Sequence, residues 1–175
     1  MPTRAEHVRA ETAALLDSLR GVWDETAVDE WDHALQAAAC AIADGADDEL
    51  ILAAALHDIG HSPLLGGPGV ADHSGIARDW ITARFGARAG WLAGAHVAAK
   101  RHLAAVDPGY ATALSTTSLA SLAAQGGAAV DPDFAGHPWH SDALRLRRYD
   151  DAAKDPAAPG APVQMVLDLA QRLAR

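Results

Sequence analysis

The feature that most constrains the fold of this chain is the alternation of alanine-rich apolar stretches with residues that start and end helices. Thr3 followed by Glu6 has the spacing of a capping box, which satisfies two backbone N–H groups at a helix start. Asp47 precedes the apolar run 50–56 and is predicted to cap a helix, and Gly45 is predicted to end the helix before it. No stretch alternates polar and apolar residues as a strand does. The sequence therefore predicts an all-α fold.

These starting and ending residues divide the chain into eight predicted helices. A Pro/Ala/Gly linker at 155–162 precedes the last helix, and residues 131–139 are predicted as turns. The irregular acidic segment 23–30 is placed where it could cover a pocket. The helices are predicted at about 3–19, 29–44, 47–57, 72–85, 87–106, 115–126, 141–153 and 163–173.

Composition narrows the class of protein further. Half of the residues are hydrophobic and only 5% are aromatic, which favours closely packed helices over a β-sandwich. A length of 175 residues suffices for one domain, so residues 1–175 are predicted to form a single domain. The formal charge of −9 argues against a nucleic-acid partner, which requires a basic face. The single cysteine, Cys40, excludes a disulfide within the chain and is expected to be a small core residue.

The sequence also bears on cellular location. No run approaches the roughly 18 to 20 uninterrupted apolar residues that a membrane span needs. Residues 1–6 lack the apolar region of a signal peptide, so a soluble cytoplasmic protein without a membrane partner is expected. Nine histidines against two phenylalanines favour metal chemistry over packing.

His57 and Asp58 stand next to each other at the end of the apolar run 50–56, and a proline- and glycine-rich loop, 62–72, follows them. An imidazole beside a carboxylate at the end of a buried helix supplies half of a metal site. Mixed nitrogen and oxygen ligands suit iron, manganese or zinc better than calcium. In the alternative interpretation, His57 caps the last carbonyls of the helix and Asp58 is solvated.

Three further histidines are placed where they could join this pair. His33 lies on an alanine-rich helical face 24 residues before the pair, a distance of about one helical hairpin. His73 lies in the first turn of the helix that follows the glycine-rich loop. His96 and Lys100 are four residues apart and therefore share a helical face, which the surrounding alanines predict to be buried. His102, on the same helix, is expected to be solvated.

Together these residues give a pattern that resembles the HD-domain superfamily. More narrowly, the chain resembles the HD-domain mixed-valent di-iron oxygenases that degrade organophosphonates, which are related to myo-inositol oxygenase. Two segments carry the narrower resemblance, HVAAK at 96–100 and RLRRYDDAAK at 145–154. The resemblance implies an all-α HD-domain helical bundle. The resembling segments span most of the chain and are 30–36, 56–61, 96–101, 119–127 and 145–154.

The resemblance also implies a cofactor, namely two iron ions in a mixed-valent Fe(II)/Fe(III) pair, with O₂ as co-substrate. Asp58 and a solvent-derived oxygen would bridge the two ions. A mononuclear HD phosphohydrolase needs only the ligands of the first ion, so the additional histidines favour a dinuclear centre. The implied ligands are His33, His57 and Asp150 for one ion, His73 and His96 for the other, and Asp58 for both.

Two neighbouring aspartates compete for the last ligand position. Asp150 is preferred to Asp151 because the family places a lysine four residues beyond the ligand, and Lys154 holds that position here. Asp151 remains the alternative.

A further set of side chains is implied to hold the phosphonate group of the substrate. A lysine, an arginine and a hydroxyl group at a helix start are suited to bind a dianionic head group. The segment 115–118 provides such a hydroxyl group. His61 and Lys100 are implied to act in catalysis together with His57 and Asp58. The implied phosphonate contacts are His61, Lys100, Ser118 and Arg147, with Ser121 and Gln125 as weaker candidates.

The segment before the first ligand departs from the family pattern. Counted back from His33, Trp23 and Thr26 occupy the positions at which the family has a tyrosine and a glutamate that sense the substrate. Trp23 has no phenolic oxygen, and Thr26 cannot pair with an ammonium group. Both are candidate substrate contacts. Either the substrate is not 2-amino-1-hydroxyethylphosphonate, or Glu25 substitutes through a shifted loop.

The implied activity is the O₂-dependent cleavage of the C–P bond of a 1-hydroxyalkylphosphonate, which gives inorganic phosphate and a carboxylic acid. A metal-dependent HD phosphohydrolase that acts on a phosphomonoester or a nucleotide is the alternative. A protein that binds a ligand without turnover is the third. The expected partner is a small organophosphonate, and the sequence predicts no oligomeric state.

Overall fold

The computed structural model describes residues 1–175 and contains ten α-helices, two short 3-10 turns (59–61 and 111–113) and no strand. The predicted fold class, an all-α HD-domain bundle, is confirmed. None of the helices has both the length and the apolar surface to cross a lipid bilayer. The helices are α1 (Arg4–Ser18), α2 (Glu30–Ala43), α3 (Asp48–Leu56), α4 (His73–Phe85), α5 (Ala87–Gly94), α6 (His96–Val106), α7 (Thr116–Ala124), α8 (Pro132–Ala135), α9 (His140–Ala152) and α10 (Val163–Leu173).

The predicted helix starts are confirmed by their caps. The capping box of α1 is present, with Thr3 Oγ1 accepting from the backbone N–H of Glu6 and Glu6 Oε2 accepting from that of Thr3. Asp29 and Asp47 each accept a hydrogen bond from the backbone N–H three residues further on, at 2.9 and 3.0 Å. These local bonds satisfy N–H groups that lack a partner within the helix.

Helix α3 lies in the centre of the bundle. Every residue from Leu50 to Leu56 is buried, and the helix contacts α2, α5, α9 and α10. A helix that is apolar on all sides is stable only when other elements surround it. As a result, the end of α3 carries His57 and Asp58 to the middle of the molecule.

The helix predicted at 87–106 is in fact two helices, α5 and α6, separated by one residue. A Cβ atom on Gly94 would lie 2.8 Å from the Cβ of Arg78, so the absence of a side chain there permits a close approach to α4. At the start of α6, His96 Nδ1 lies 2.6 Å from the carbonyl oxygen of Ala93. The break therefore places the His96 ring at a helix start, where it turns back towards the preceding helix.

The prediction that His102 is solvated is wrong. This residue is 8% exposed, because α6 packs against α8 and α9. Its ring contacts those of Phe134 and His140, with centroid distances of 5.5 and 4.9 Å. Phe134 belongs to the short helix α8, which lies within the stretch predicted as turns. Cys40 is partly buried against the core.

The last helix, α10, returns to the bundle as predicted and packs against α1 and α3. The linker 155–162 that precedes it is fixed to α2. Gln36 Nε2 donates to the carbonyl oxygens of Asp155 and Ala158 at 2.7 and 3.2 Å. The N–H of Ala161 donates to the carbonyl oxygen of Leu35 at 2.8 Å. These bonds hold the end of α9 beside α2.

Candidate metal centre and substrate cavity

Four of the predicted ligands converge from α2, α3 and α9. His33 Nε2 lies 3.4 Å from both Asp58 Oδ2 and Asp150 Oδ1. His57 Nε2 lies 3.2 Å from Asp58 Oδ2 and 3.5 Å from Asp150 Oδ2. All four ligand atoms lie within 4.8 Å of one another. Atoms that bind one ion at right angles, each about 2.1 Å from it, are about 3 Å apart, so this cluster has the dimensions of a metal site.

A second cluster forms on the other side of Asp58. His73 Nε2 and His96 Nε2 lie 3.4 and 3.3 Å from Asp58 Oδ1, and 3.0 Å from each other. The two oxygens of this one carboxylate therefore face different pairs of histidines. That arrangement suits a carboxylate that bridges two ions.

Backbone carbonyl groups fix the orientation of three of the rings. His33 Nδ1 lies 2.8 Å from the carbonyl oxygen of Ala153, and His57 Nδ1 lies 2.7 Å from that of Ala54. His96 has the similar contact described above. A nitrogen that faces a carbonyl oxygen carries the proton, which leaves Nε2 as the ligand atom. In neutral rings, His33 Nε2 and His57 Nε2 would be two acceptors 3.3 Å apart, and a cation between them, either a metal ion or a proton, satisfies both.

The electrostatics of the first cluster also favour a cation. Burial alone would lower the pKa of His57, but the negative charges of Asp58 and Asp150 outweigh it and raise this pKa to about 10. Burial alone would raise the pKa of both carboxyl groups, yet the neighbouring positive groups hold each pKa well below its usual range. The two aspartates are therefore anions at neutral pH, as metal ligands must be.

The two neighbouring aspartates of α9 point in different directions. Asp150 faces the histidines, whereas Asp151 accepts hydrogen bonds from Arg147 and from Tyr110 Oη, the latter at 2.5 Å. Arg147 Nη1 also lies 2.7 Å from Asp150 Oδ2, and its Nε donates to Tyr110 Oη at 3.0 Å. Asp150 is thus the aspartate placed to bind a metal. The guanidinium of Arg147 is directed mainly at these two acids, so it positions Asp150.

A cavity of about 320 Å³ opens beside both clusters. Lys100, on α6, is 3% exposed and donates to Ser121 Oγ at 2.7 Å, and no carboxylate oxygen lies within 4.0 Å of it. Burial, together with repulsion from Arg147, lowers the pKa of Lys100 to about 8. His61 also lines the cavity, and its ring stacks on that of His73 at a centroid distance of 4.3 Å. The predicted site residues that line the cavity are His33, Asp58, His61, His73, His96, Lys100, Ser118, Ser121, Gln125, Arg147 and Asp150.

Trp23 and Thr26, predicted as substrate contacts, do not line the cavity. Trp23 is 61% exposed, Thr26 is exposed, and Glu25 between them is buried. Glu25 Oε1 lies 3.0 Å from Lys154 Nζ and accepts from Ser115 Oγ at 2.9 Å. Of the two residues considered for the position of the family glutamate, Glu25 lines the cavity and Thr26 does not. Counting positions back from the ligand could not show which side chain turns inward, because residues 21–29 have no regular structure.

Among the residues of the cavity wall that sequence reasoning did not identify, Lys154 and Glu30 carry charges and are largely shielded from solvent. Lys154 had served only as a marker for the choice of aspartate, but it lines the cavity and donates to Ser118 Oγ at 2.9 Å. Glu30 begins α2, is 1% exposed and also lines the cavity. Its position one helical turn before His33 was the only signal in the sequence that could have identified it.

The fold and the site together define a class of protein, a helical bundle in which two His/Asp clusters with the dimensions of metal sites lie beside a cavity that contains lysine side chains. Comparison with known proteins narrows this class. Hydroxymethylphosphonate dioxygenase from Gimesia maris is 37% identical over 164 residues, which cover 87% of this chain and 80% of that protein. The chain belongs to the phosphonate dioxygenase family.

Two more relatives extend the comparison. The [1-hydroxy-2-(trimethylamino)ethyl]phosphonate dioxygenase (glycine-betaine-forming) of Leisingera caerulea is 30% identical over 157 residues, which cover 80% of each chain. Uncharacterized protein L432 of Acanthamoeba polyphaga mimivirus is 34% identical over 134 residues, 70% of this chain and 61% of its own. No protein-family model matches the chain. Dioxygenases of this kind imply a bound metal and O₂ as co-substrate.

Proposed function

We propose that this protein uses O₂ to cleave the C–P bond of a 1-hydroxyalkylphosphonate. The observation that carries the proposal is the position of the Asp58 carboxylate between the two clusters. Its two oxygens face different pairs of histidines. Two of the relatives are named as dioxygenases of hydroxyphosphonates, which supports this substrate class.

The proposed reaction balances without an external reductant. The substrate loses one C–H bond and its C–P bond, the carbon gains one oxygen atom from O₂, and the phosphorus gains the other. A 1-hydroxyalkylphosphonate dianion and O₂ thus give a carboxylate, hydrogen phosphate and one proton. The four electrons that reduce O₂ come from the substrate.

The ligand set fits two iron ions. His33, His57 and Asp150 would hold one, His73 and His96 the other, and Asp58 both. The mixed nitrogen and oxygen donors suit iron, and the carbonyl contacts of His33 and His57 leave Nε2 available to it. A mixed-valent Fe(II)/Fe(III) pair would supply the redox capacity to activate O₂. The protein itself orients these ligands and binds the substrate.

Lys100 is the group that would bind the phosphonate most strongly. It is the cavity cation without a carboxylate within 4.0 Å, whereas Lys154 contacts Glu25 and Arg147 contacts Asp150. Charge-assisted hydrogen bonds to a buried anion are roughly twice as strong as neutral ones. Ser121 orients the ammonium group of Lys100, and this interaction places it on the wall formed by α6 and α7.

A metal-dependent phosphohydrolase remains the alternative function. Such an enzyme needs one ion and an activated water molecule, which the His33 cluster alone could provide. A hydrolase with one ion would not need His73 and His96 as ligands. Their Nε2 atoms nevertheless lie as close to Asp58 as those of the first cluster. For this reason the oxygenase is preferred.

The test is to incubate the iron-loaded protein with hydroxymethylphosphonate and with 1-hydroxy-2-(trimethylamino)ethylphosphonate, and to measure O₂ uptake and phosphate release. We expect one phosphate for each O₂ consumed from at least one of them, and no phosphate under anaerobic conditions. Phosphate release from a phosphomonoester without O₂ would instead establish the hydrolase.

Two histidine variants supply the matched comparison. His73→Ala removes a ligand of the second cluster and is expected to abolish O₂ uptake. His102→Ala removes a histidine that is also shielded from solvent but lies outside the cavity, and it is expected to retain activity. Full activity in His73→Ala would contradict the dinuclear proposal.

A further inference from the structure

The carboxyl group of Glu30 has no partner in the protein. The residue is 1% exposed, and its Oε2 is buried without a hydrogen bond. No Lys, Arg or His nitrogen lies within 4.0 Å of it. A buried carboxyl group without a partner is costly, so such a group is retained where something else satisfies it. Glu30 lines the cavity, so a group of a bound ligand is in a position to supply that partner.

The position of Glu30 is fixed by the backbone around it. Its N–H donates to the carbonyl oxygen of Val22 at 2.8 Å, and Asp29 before it caps α2 and accepts from the N–H of Gly21 at 2.8 Å. The side chain therefore starts from a rigid helix end and not from a mobile loop. A group held in this way can recognise one part of a ligand.

The charges around Glu30 limit what it can bind. Burial, followed by repulsion from Asp58, raises the pKa of Glu30 to about 8. The same cavity is lined by Lys100, a cation without a carboxylate partner, which attracts a phosphonate, whereas the acidic groups Asp58 and Glu30 do not. A hydroxyl group fits beside Glu30, since it can donate to a carboxylate and accept from a carboxylic acid.

We infer that Glu30 is a specificity-determining residue that hydrogen-bonds the 1-hydroxyl group of the bound phosphonate. The inference rests on the proposed function. It adds the protein group that distinguishes a hydroxyphosphonate from an alkylphosphonate without a hydroxyl. In this arrangement, Lys100 selects for the anion and Glu30 selects for the hydroxyl. A site built to hydrogen-bond a substrate hydroxyl rejects the analogue without it, because its own polar group is then left unpaired.

The test compares two ligands under anaerobic conditions, where neither is turned over. The dissociation constants of hydroxymethylphosphonate and methylphosphonate are measured by calorimetry with the iron-loaded protein. We expect the wild-type protein to prefer the hydroxylated ligand by at least tenfold. Glu30→Ala should lose about tenfold of this preference, whereas Glu30→Gln, whose amide both donates and accepts, should keep it.

Asp32→Ala is the matched control, because it removes a carboxylate from the exposed side of the same helix turn. It should leave both constants unchanged. The iron content of every variant is measured, so that an effect of Glu30→Ala on His33 is detected separately.

The outcomes separate the two claims. If Glu30→Ala weakens both ligands by the same factor, or if the wild-type protein does not distinguish them, the role of Glu30 is overturned while the phosphonate site stands. A wild-type protein that binds neither of these ligands nor 1-hydroxy-2-(trimethylamino)ethylphosphonate overturns the proposed function itself and the inference with it.

Discussion

The cations of the cavity differ in what they already contact. Lys154 lies 3.0 Å from Glu25, and Arg147 lies 2.7 Å from Asp150. Lys100 contacts only a hydroxyl group, at 2.7 Å. A cation that already has a carboxylate partner gains less from a new anion than one without. Affinity for an anionic ligand should therefore depend most on Lys100.

This difference predicts how phosphonate binding depends on pH. The pKa of Lys100 is lowered to about 8, chiefly by burial, so the ammonium group is charged below this pH and neutral above it. The dissociation constant of hydroxymethylphosphonate should accordingly rise as the pH increases from 7 to 9. It is measured by anaerobic calorimetry at each pH.

The control for this prediction is Lys100→Arg, which stays charged throughout the range. Its affinity is expected to be lower than that of the wild type, but without the decline above pH 8. If the same decline persists in Lys100→Arg, the ionisation of another cavity group such as Glu30, whose pKa is also raised to about 8, causes the pH dependence, and the part given to Lys100 in it is wrong.

At the scale of single elements, the 3-10 turn 59–61 connects the two clusters. Gly60 packs against the first residue of α4, where a Cβ atom would lie 2.6 Å from the Cα of His73. The turn follows Asp58 directly, so one close backbone contact fixes the position of His73 relative to the Asp58 carboxylate. Only glycine permits this approach.

Gly60→Ala should therefore displace His73. We expect the free energy of unfolding to fall by about 1–3 kcal/mol, as for other overpacked sites, and the iron content to fall from the proposed two ions per chain towards one. Thermal unfolding and metal analysis measure the two effects. Gly109→Ala is the control, because the nearest atom to its added Cβ is 3.6 Å away. Two irons in Gly60→Ala would contradict the prediction.

The helix starts could be predicted from the sequence, and the break between α5 and α6 could not. Thr3, Asp29 and Asp47 cap their helices through bonds to residues three positions away, so the signal is local. The break depends on the contact of Gly94 with Arg78 on another helix, which no local pattern contains. The burial of His102 was missed for the same reason.

The residues of the candidate site also differ in whether the sequence could identify them. The six predicted ligands lie on helices or at helix ends, and their convergence followed from a family pattern with fixed spacings. Glu25 was not chosen, because it lies in a segment without regular structure, where neighbouring residues can point in either direction. Glu30 was missed because a carboxylate at a helix start is usually a solvated first-turn residue.

Considered as a whole, the molecule draws its candidate ligands from five separate elements. His33 comes from α2, the His57–Asp58 pair from the end of α3, His73 from α4, His96 from α6 and Asp150 from α9. These ligands are far apart in the sequence and come together only when the chain is folded. Metal binding is therefore linked to folding.

Removal of the metal should destabilise the whole protein. A ligand present at a thousand times its dissociation constant stabilises the folded state by about 4 kcal/mol, which corresponds to roughly 8–16 °C in melting temperature for a chain of this length. Differential scanning calorimetry before and after chelation measures the shift. Iron added back should restore the melting temperature, and an unchanged value after complete chelation would show that the clusters hold no metal.

The contact between Glu25 and Lys154 has a consequence for turnover. The 21–29 segment supplies an internal carboxylate to the same ammonium and hydroxyl groups that an incoming anion would seek. A tethered competitor acts at a constant effective concentration. An anion that binds Lys154 would first have to displace Glu25, and in the proposed reaction the return of Glu25 would favour the release of inorganic phosphate.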